Sequence, residues 1–448
     1  MSESTDHDKH DEHEETGDRI SRRKFLAGAG IATTAAVAGG WGLTVWRRDE
    51  TGSSSGPRAG ELGGAAGLTL VIVEMGGGND GLNTVVPLND VRYHDLRPTL
   101  AVQKPISIDR ETGFHDKLVK LAARFKDGHV AVVEGVGYPN PDLSHFASLA
   151  NWWSAAPGES GKSGWIGRYL DGTVGFHEPL AGVAIGPSPS PAIRGDRSFA
   201  TSISDATGLQ PRLPEWIDRR DDLVAAWRGF APAHVDAKTQ LGRVEQAVGL
   251  TGKARTTLDR TLRGYQDPAA AGRTSGAAGR GNNANATANP ITESLSLAAQ
   301  LVASKAAPRV VYVSGLGDFD THQGEAQRHP ALMADLDAGV ETFFSRLAAA
   351  HATDRALLMT VSEFGRRPNE NGSGTDHGTA APHFFIGSKV KGGRYGERPS
   401  LSKLDQSGNL AHTVDFRSLY ATALKGWLGV DPEPVLGKRW ETLPVLTT

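Results

Sequence analysis

The sequence predicts an α/β fold, a mostly parallel central sheet with helices on both faces. Three observations carry this expectation. Short runs recur at 68–74, 130–134, 310–313 and 356–361, each apolar almost throughout and 310–313 β-branched as well. Such continuous runs mark strands buried on both faces, as in parallel sheets. Segments with helical spacing lie between them. The clearest is 330–350, which sets Leu332, Leu336, Val340, Phe343, Phe344 and Leu347 on one side. The resulting β–helix–β alternation is the signature of parallel strands joined by crossovers.

The remaining elements follow in order. Helices are expected at 114–124, 143–153, 164–170, 215–228, 235–262, 291–305 and 419–428, the last capped by Asp415. Strands are expected at 180–185 and 384–386, and loops at 187–191 and 211–214. Residues 269–290 are rich in Gly, Ala and Asn, a composition expected of a disordered surface insertion. Residues 67–448 are read as one domain.

Composition narrows the chemistry. Lys plus Arg number 48 and Asp plus Glu 51, a net charge of −3. That balance argues against a general nucleic-acid binder. There is no cysteine, which excludes disulfides, thiolate metal sites, a Cys nucleophile and iron–sulfur clusters. A transition metal would have to be held by His, Asp and Glu, a donor set suited to Zn, Mn, Mg, Ca or Fe.

The N-terminus reads as an address. An acidic, His-rich stretch is followed by Ser21-Arg-Arg-Lys-Phe-Leu26 and a Gly/Ala-rich apolar segment. A twin arginine before a modest apolar run is the pattern of a twin-arginine signal, here 1–48, read by the export machinery. The protein is therefore expected in the periplasm or outside the cell. The apolar run is weak as a membrane span, so no stable span is expected after processing, and a tether only if the signal stays uncleaved. Residues 49–66 read as a flexible linker.

Polar residues gather where the strands end, which is where open α/β sheets bind ligands. Asp80 follows Gly76-Gly-Gly78 and reads either as a turn residue or as a metal ligand. Ser144 stands at a helix start, where it is an N-cap or, with a cation nearby, a nucleophile. His145 beside it is a ligand, a base or a structural residue. Asp318, Asp320 and His322 follow the strand at 310–313. Asp318 and His322, four apart, would share a face on a helical turn, and the bland alternative is that Asp318 or Asp320 caps the next helix. Glu363 ends the strand at 356–361. Arg366 and Arg367 follow it, to bind an anion or pair with acids. Asp376 and His377 sit together in a Gly-rich loop, and His383 opens a strand.

In order and in local sequence, Gly76-Gly-Gly-Asn-Asp-Gly-Leu-Asn83, Ser144-His-Phe146, Gly317-Asp-Phe-Asp-Thr-His322, Ser362-Glu-Phe-Gly-Arg366 and Gly374-Thr-Asp-His-Gly378 resemble the bacterial "domain of unknown function 1501" family. That family looks like a branch of the alkaline phosphatase and sulfatase superfamily, whose α/β sheet carries two metal ions and a nucleophile. The resemblance implies an alkaline phosphatase-like fold. It implies Asp80, Asp318, His322, Glu363 and His377 as metal ligands, with His383 as a second choice for the last. Ser144 would be the nucleophile and Arg366 the holder of a substrate oxygen. Phe364 stands where the pattern carries a His, so the second metal position is altered, softer in its choice of metal, or empty. The implied function is an exported hydrolase of phosphate or sulfate esters with a divalent metal, Zn or Mn. The alternative is a non-catalytic extracytoplasmic protein of the same fold that binds an anionic glycan, a surface polymer or a protein partner.

Overall fold

The computed structural model describes residues 58–158, 163–175, 178–198, 200–204, 240–263, 290–305 and 307–447. The expected export signal, the helix at 215–228, the loop at 211–214 and the insertion at 269–290 (apart from Pro290) lie outside the described residues.

Fourteen strands are described: β1 (Thr69–Glu74), β2 (Val85–Pro87), β3 (Ile106–Ser107), β4 (Thr112–Phe114), β5 (Val130–Gly137), β6 (Gly182–Ile185), β7 (Thr201–Ile203), β8 (Val310–Val313), β9 (Ala356–Val361), β10 (Arg366–Glu370), β11 (Thr375–His377), β12 (Ala381–Ile386), β13 (Gly393–Tyr395) and β14 (Val414–Asp415). Nine of them form the central sheet in the order β13-β5-β12-β9-β1-β8-β6-β7, with β14 also beside β5. β1 sits in the middle, parallel to β8 and β9. β12 runs antiparallel to both β9 and β5, while β13 and β14 are parallel to β5. The expectation of a mostly parallel sheet is met, with β12 alone reversed. The reversal has a use. The carboxyl ends of β1, β5, β8 and β9 and the amino end of β12 all open on one edge.

Alternate residues of the strands feed two cores. Val71, Val73, Val311 and Val313 pack with helices Pro290–Ala303 and Glu325–Ala349 on one face. Leu70, Ile72, Val310 and Tyr312 pack on the other with helices His145–Ser154, Trp165–Thr173 and Phe416–Thr422. Each buried Val or Leu contributes roughly 1.5–3 kcal/mol, so continuous apolar strands are what a sheet covered on both faces requires. Helices on both faces are thus observed.

One helix organises its neighbours. Glu325–Ala349 presents Asp335 to the N–H groups of Ile291 (3.0 Å) and Thr292 (3.1 Å), and Asp337 to those of Lys120 (3.1 Å) and Leu121 (2.8 Å). It therefore caps two other helices from outside, supplying acceptors that N-terminal N–H groups lack. The helix starts at Glu325, five residues before the expected Pro330. Glu325 is buried, its N–H bonds Ser373 O at 3.0 Å and its carboxyl accepts from Thr375 Oγ1 at 2.7 Å. These contacts hold an extra turn ahead of the proline.

Other elements differ from expectation. The helix expected at 114–124 is Val119–Lys126, because Phe114 is drawn into β4 opposite Val85 and Ile106. The short strands β2, β3, β7, β10, β11, β13 and β14 have no apolar run to announce them. They are set by pairing with neighbouring strands rather than by local pattern. Asp415 does cap its helix, accepting from Arg417 N at 3.0 Å. The last part of the expected linker is not free: Leu62 N bonds Gly172 O (3.2 Å) and Ala65 N bonds Leu428 O (2.9 Å).

Candidate metal centre

Five chain segments meet at the shared edge: the glycine turn after β1, the start of helix His145–Ser154, the loop after β8, the loop after β9, and the β10–β11 hairpin that leads into β12. Close backbone approach welds them. Gly77 has φ +113, and a Cβ there would lie 2.3 Å from Asp320 N. The glycines after β1 thus admit the loop that carries Asp320.

Asp320 is the centre of the cluster. His145 Nε2 lies 3.3 Å from its Oδ2. His322 Nε2 and His377 Nε2 each lie 3.2 Å from its Oδ1 and 2.9 Å from one another. Every one of these rings has its other nitrogen tied outward. His145 Nδ1 meets Glu363 Oε1 at 2.8 Å, His322 Nδ1 meets Asp376 Oδ1 at 3.1 Å, and His377 Nδ1 meets the Leu143 carbonyl at 2.7 Å. Because these three oxygens accept, the Nδ1 atoms donate. The Nε2 lone pairs then point inward, with the carboxylate, at common space. Four acceptors so aimed repel unless a cation sits among them. Outward Nδ1–H bonds of this kind are what orient metal-bound histidines.

The donor chemistry and spacing fit a divalent ion. Bonds of ~2.0–2.1 Å in a tetrahedral site place ligand atoms roughly 3.3 Å apart, close to the observed 2.9–3.3 Å. His145, Asp320 and His377 are the one group of three or more such residues among the described residues whose ligand atoms all fall within 4.8 Å of one another. His322 borders that group.

Arg366 underlies the cluster. Its Nη2 binds Asp320 Oδ1 at 2.6 Å. Burial alone would raise the Asp320 carboxyl, but the hydrogen bond and charge of Arg366 outweigh it and lower the pKa to about 2. The hydrogen bond to Glu363 raises the His145 imidazole. Burial lowers His377, against the pull of the Leu143 carbonyl.

The residues expected from sequence fare differently. His322, Glu363 and His377 do come together. Asp318 does not join them. Its side chain is 71 % exposed, pairs with Arg328 at 2.8 Å and accepts from Asp320 N at 3.1 Å. No helical turn joins 318 to 322, and the cap of the next helix is Gly324, so neither Asp318 nor Asp320 caps it. Asp80 is buried and bound to Arg97, side chain to side chain. Ser144 is exposed and N-caps its helix without giving the helix its hydroxyl. Arg366 is not offered to a ligand. It is 1 % exposed, and its donors reach Gly77 O, Gly78 O (2.7 Å), Phe319 O (3.1 Å) and Thr375 O (2.8 Å) besides Asp320. His383 lies in the core near Trp152, with both ring nitrogens unpartnered and its pKa lowered by burial to about 3. His145 and Asp320 are visible in the sequence, but the four-residue spacing favours Asp318 over Asp320, and nothing local distinguishes His145 from any residue at a helix start.

Glu74, at the end of β1, is 6 % exposed. Its Oε2 accepts from Trp153 Nε1 (2.7 Å) and from Tyr312 Oη (2.5 Å). Burial raises its pKa from 4.5 to about 7, the two donors opposing and the charge of Glu363 adding. A carboxyl whose pKa rises on folding stabilises fully below its unfolded value and loses that contribution as pH climbs through the folded value. Stability should therefore fall between pH 4.5 and about 7, by up to roughly 3 kcal/mol from this group. Glu74→Gln should flatten that slope in urea unfolding measured across the interval. An unchanged slope would show that Glu74 is not the group responsible.

Fold and cluster define a class: an α/β protein with a candidate metal centre at the carboxyl edge of a mostly parallel sheet. The chain belongs to the family described as "Protein of unknown function (DUF1501)", whose model matches residues 128–441. No curated protein matches it. Among solved structures, the C-terminal periplasmic domain of EcEptC from Escherichia coli in complex with Zn is 11% identical, with a TM-score of 0.37 over 87% of this chain and 94% of that one. A protein in the alkaline phosphatase superfamily from Vibrio parahaemolyticus is 9% identical, with a TM-score of 0.34 over 94% and 78%. The alkaline phosphatase from the Antarctic bacterium TAB5 is 11% identical, with a TM-score of 0.29 over 72% and 91%. All three likenesses are remote.

Proposed function

We propose that the protein is an exported, metal-dependent hydrolase of phosphate or sulfate esters, holding a divalent ion, Zn or Mn, with His145, Asp320 and His377 and with His322 at the border. The observation that carries this reading is the convergence of three Nε2 atoms on Asp320 while every Nδ1 is tied outward. Export rests on the twin-arginine pattern at Ser21-Arg-Arg-Lys-Phe-Leu26. No helix among the described residues is long and apolar enough to cross a membrane.

An ion held there would act as a Lewis acid toward a phosphoryl or sulfuryl oxygen. The chain's own groups do the rest. Glu363 fixes the His145 ring through Nδ1, and the Leu143 carbonyl fixes His377. Ser144 directly precedes His145, at the N-terminus of a ten-residue helix whose N–H groups and dipole favour an anion. Its free hydroxyl is the candidate nucleophile. The oxygen would form a bond to phosphorus or sulfur as the bond to the ester's leaving oxygen breaks; its proton passes to solvent and the leaving oxygen takes one from solvent. Water would then break the new bond, returning the Ser144 hydroxyl and releasing phosphate or sulfate.

The second reading, a non-catalytic binding protein of the same fold, is favoured by the enclosure of Arg366, which is 1 % exposed with all three of its nitrogens bonded to the protein's own oxygens. The two separate on turnover. Protein purified without chelators is assayed on aryl phosphates and aryl sulfates, with and without Zn or Mn. Metal-dependent hydrolysis that Ser144→Ala abolishes supports the hydrolase. Absence of turnover on both ester classes, with ion bound, leaves the binding protein.

A further inference from the structure

We infer that this centre is built for one ion, and that the place of a second is held by the Arg97 guanidinium and the Phe364 ring. The inference rests on the metal reading above and sharpens it.

Of the acids the sequence offered as ligands, Asp80 and Glu363 are the two buried ones outside the cluster of ligand atoms, and a second ion would draw on them. Asp80 is 1 % exposed and one of its oxygens is bound to Arg97, both side chains being fully buried. Arg97 cannot swing aside. Its Nε donates to Pro368 O and its Nη2 to Arg367 O, each at 2.9 Å, so it is clamped to β10. The other Asp80 oxygen is buried and turned toward Glu325, whose Oε1 is also buried without a donor. Burial and the Asp80 charge raise the Glu325 carboxyl. Arg97 already pairs with Asp80. A divalent ion would enter beside a fixed guanidinium, and at short range in a desolvated site that repulsion is large.

Glu363 is used as well. Its Oε1 accepts from His145 Nδ1 and from Gly77 N, both at 2.8 Å. Its Oε2 is buried and unpartnered, and among the described residues Glu363 belongs to no group of three or more converging ligand atoms. Next in the chain, the Phe364 ring is 2 % exposed and packs against the cluster, 5.0 Å from the His145 ring and 4.6 Å from the His377 ring. It is so close to the backbone that a Cβ on Gly78 would lie 2.5 Å from it. A residue with no lone pair fills the position of a potential ligand.

The test is stoichiometry on the full chain. The metal-free protein is loaded with Zn or Mn, freed of excess by gel filtration and assayed by elemental analysis, and the Mn form is examined by electron paramagnetic resonance. One equivalent per chain with an uncoupled six-line Mn spectrum is expected. Two equivalents, or an exchange-coupled spectrum, overturns the inference and leaves the metal reading standing. No bound ion overturns both. Phe364→His returns a ligand beside Glu363 while Arg97 stays in place. The count should remain one, and a rise to two in that variant removes Arg97 from the explanation.

Discussion

Asp320→Asn is expected to abolish ion binding at the centre, lowering affinity at least ~100-fold, since changing even outer partners of metal ligands costs 10–100-fold. Asp320 is the anion on which His145, His322, His377 and Arg366 all converge. Its amide counterpart keeps the shape and removes the charge. The measurement is competitive titration against a chelator of known affinity, with thermal unfolding alongside, because Arg366 also loses its counter-charge. The control is Asp318→Asn. That residue is 71 % exposed, and an exposed pair contributes at most about 1 kcal/mol, so binding and stability should hardly move. Equal losses from both substitutions would mean that the loop, and not the carboxylate, holds the ion.

The second large effect falls on stability. Arg97→Ala is expected to cost about 3–5 kcal/mol, the penalty for leaving one charge of a buried pair uncompensated. Asp80 would keep its charge in a site sealed from water, and the carbonyls of Pro368 and Arg367 would lose their donors. Urea unfolding of Arg97→Ala, Asp80→Ala and the double variant closes the cycle. The double variant should lose less than the sum of the singles, because it no longer strands a lone charge. Strict additivity would mean that the two side chains do not depend on one another.

The sheet was legible because its strands are buried on both faces, so their composition alone announces them. Residues 68–74 and 356–361 needed no partner to be recognised. The candidate centre was legible only in part, for a physical reason. Strand ends are visible in sequence, and His322, Glu363 and His377 stand just past them. Which way a loop side chain turns depends on contacts made at long range. Asp318 folds back on the N–H of Asp320 and out to Arg328, and no spacing rule foresees that. His145 reaches Glu363 across 218 residues of chain. Asp80 looked available for an ion because the guanidinium that claims it lies in a different element.

Helix Glu325–Ala349 has one more consequence. Asp335 and Asp337 close the ends of two other helices while Glu325, at its own start, grips Thr375 beside the centre. A slip of this helix by one residue would release all three contacts together, so its register acts as a ruler for the domain. Opening should accordingly be all-or-none. Slow hydrogen exchange in helices Val119–Lys126 and Pro290–Ala303 ought to fail at one common free energy, and the hairpin that carries His377 should open with them.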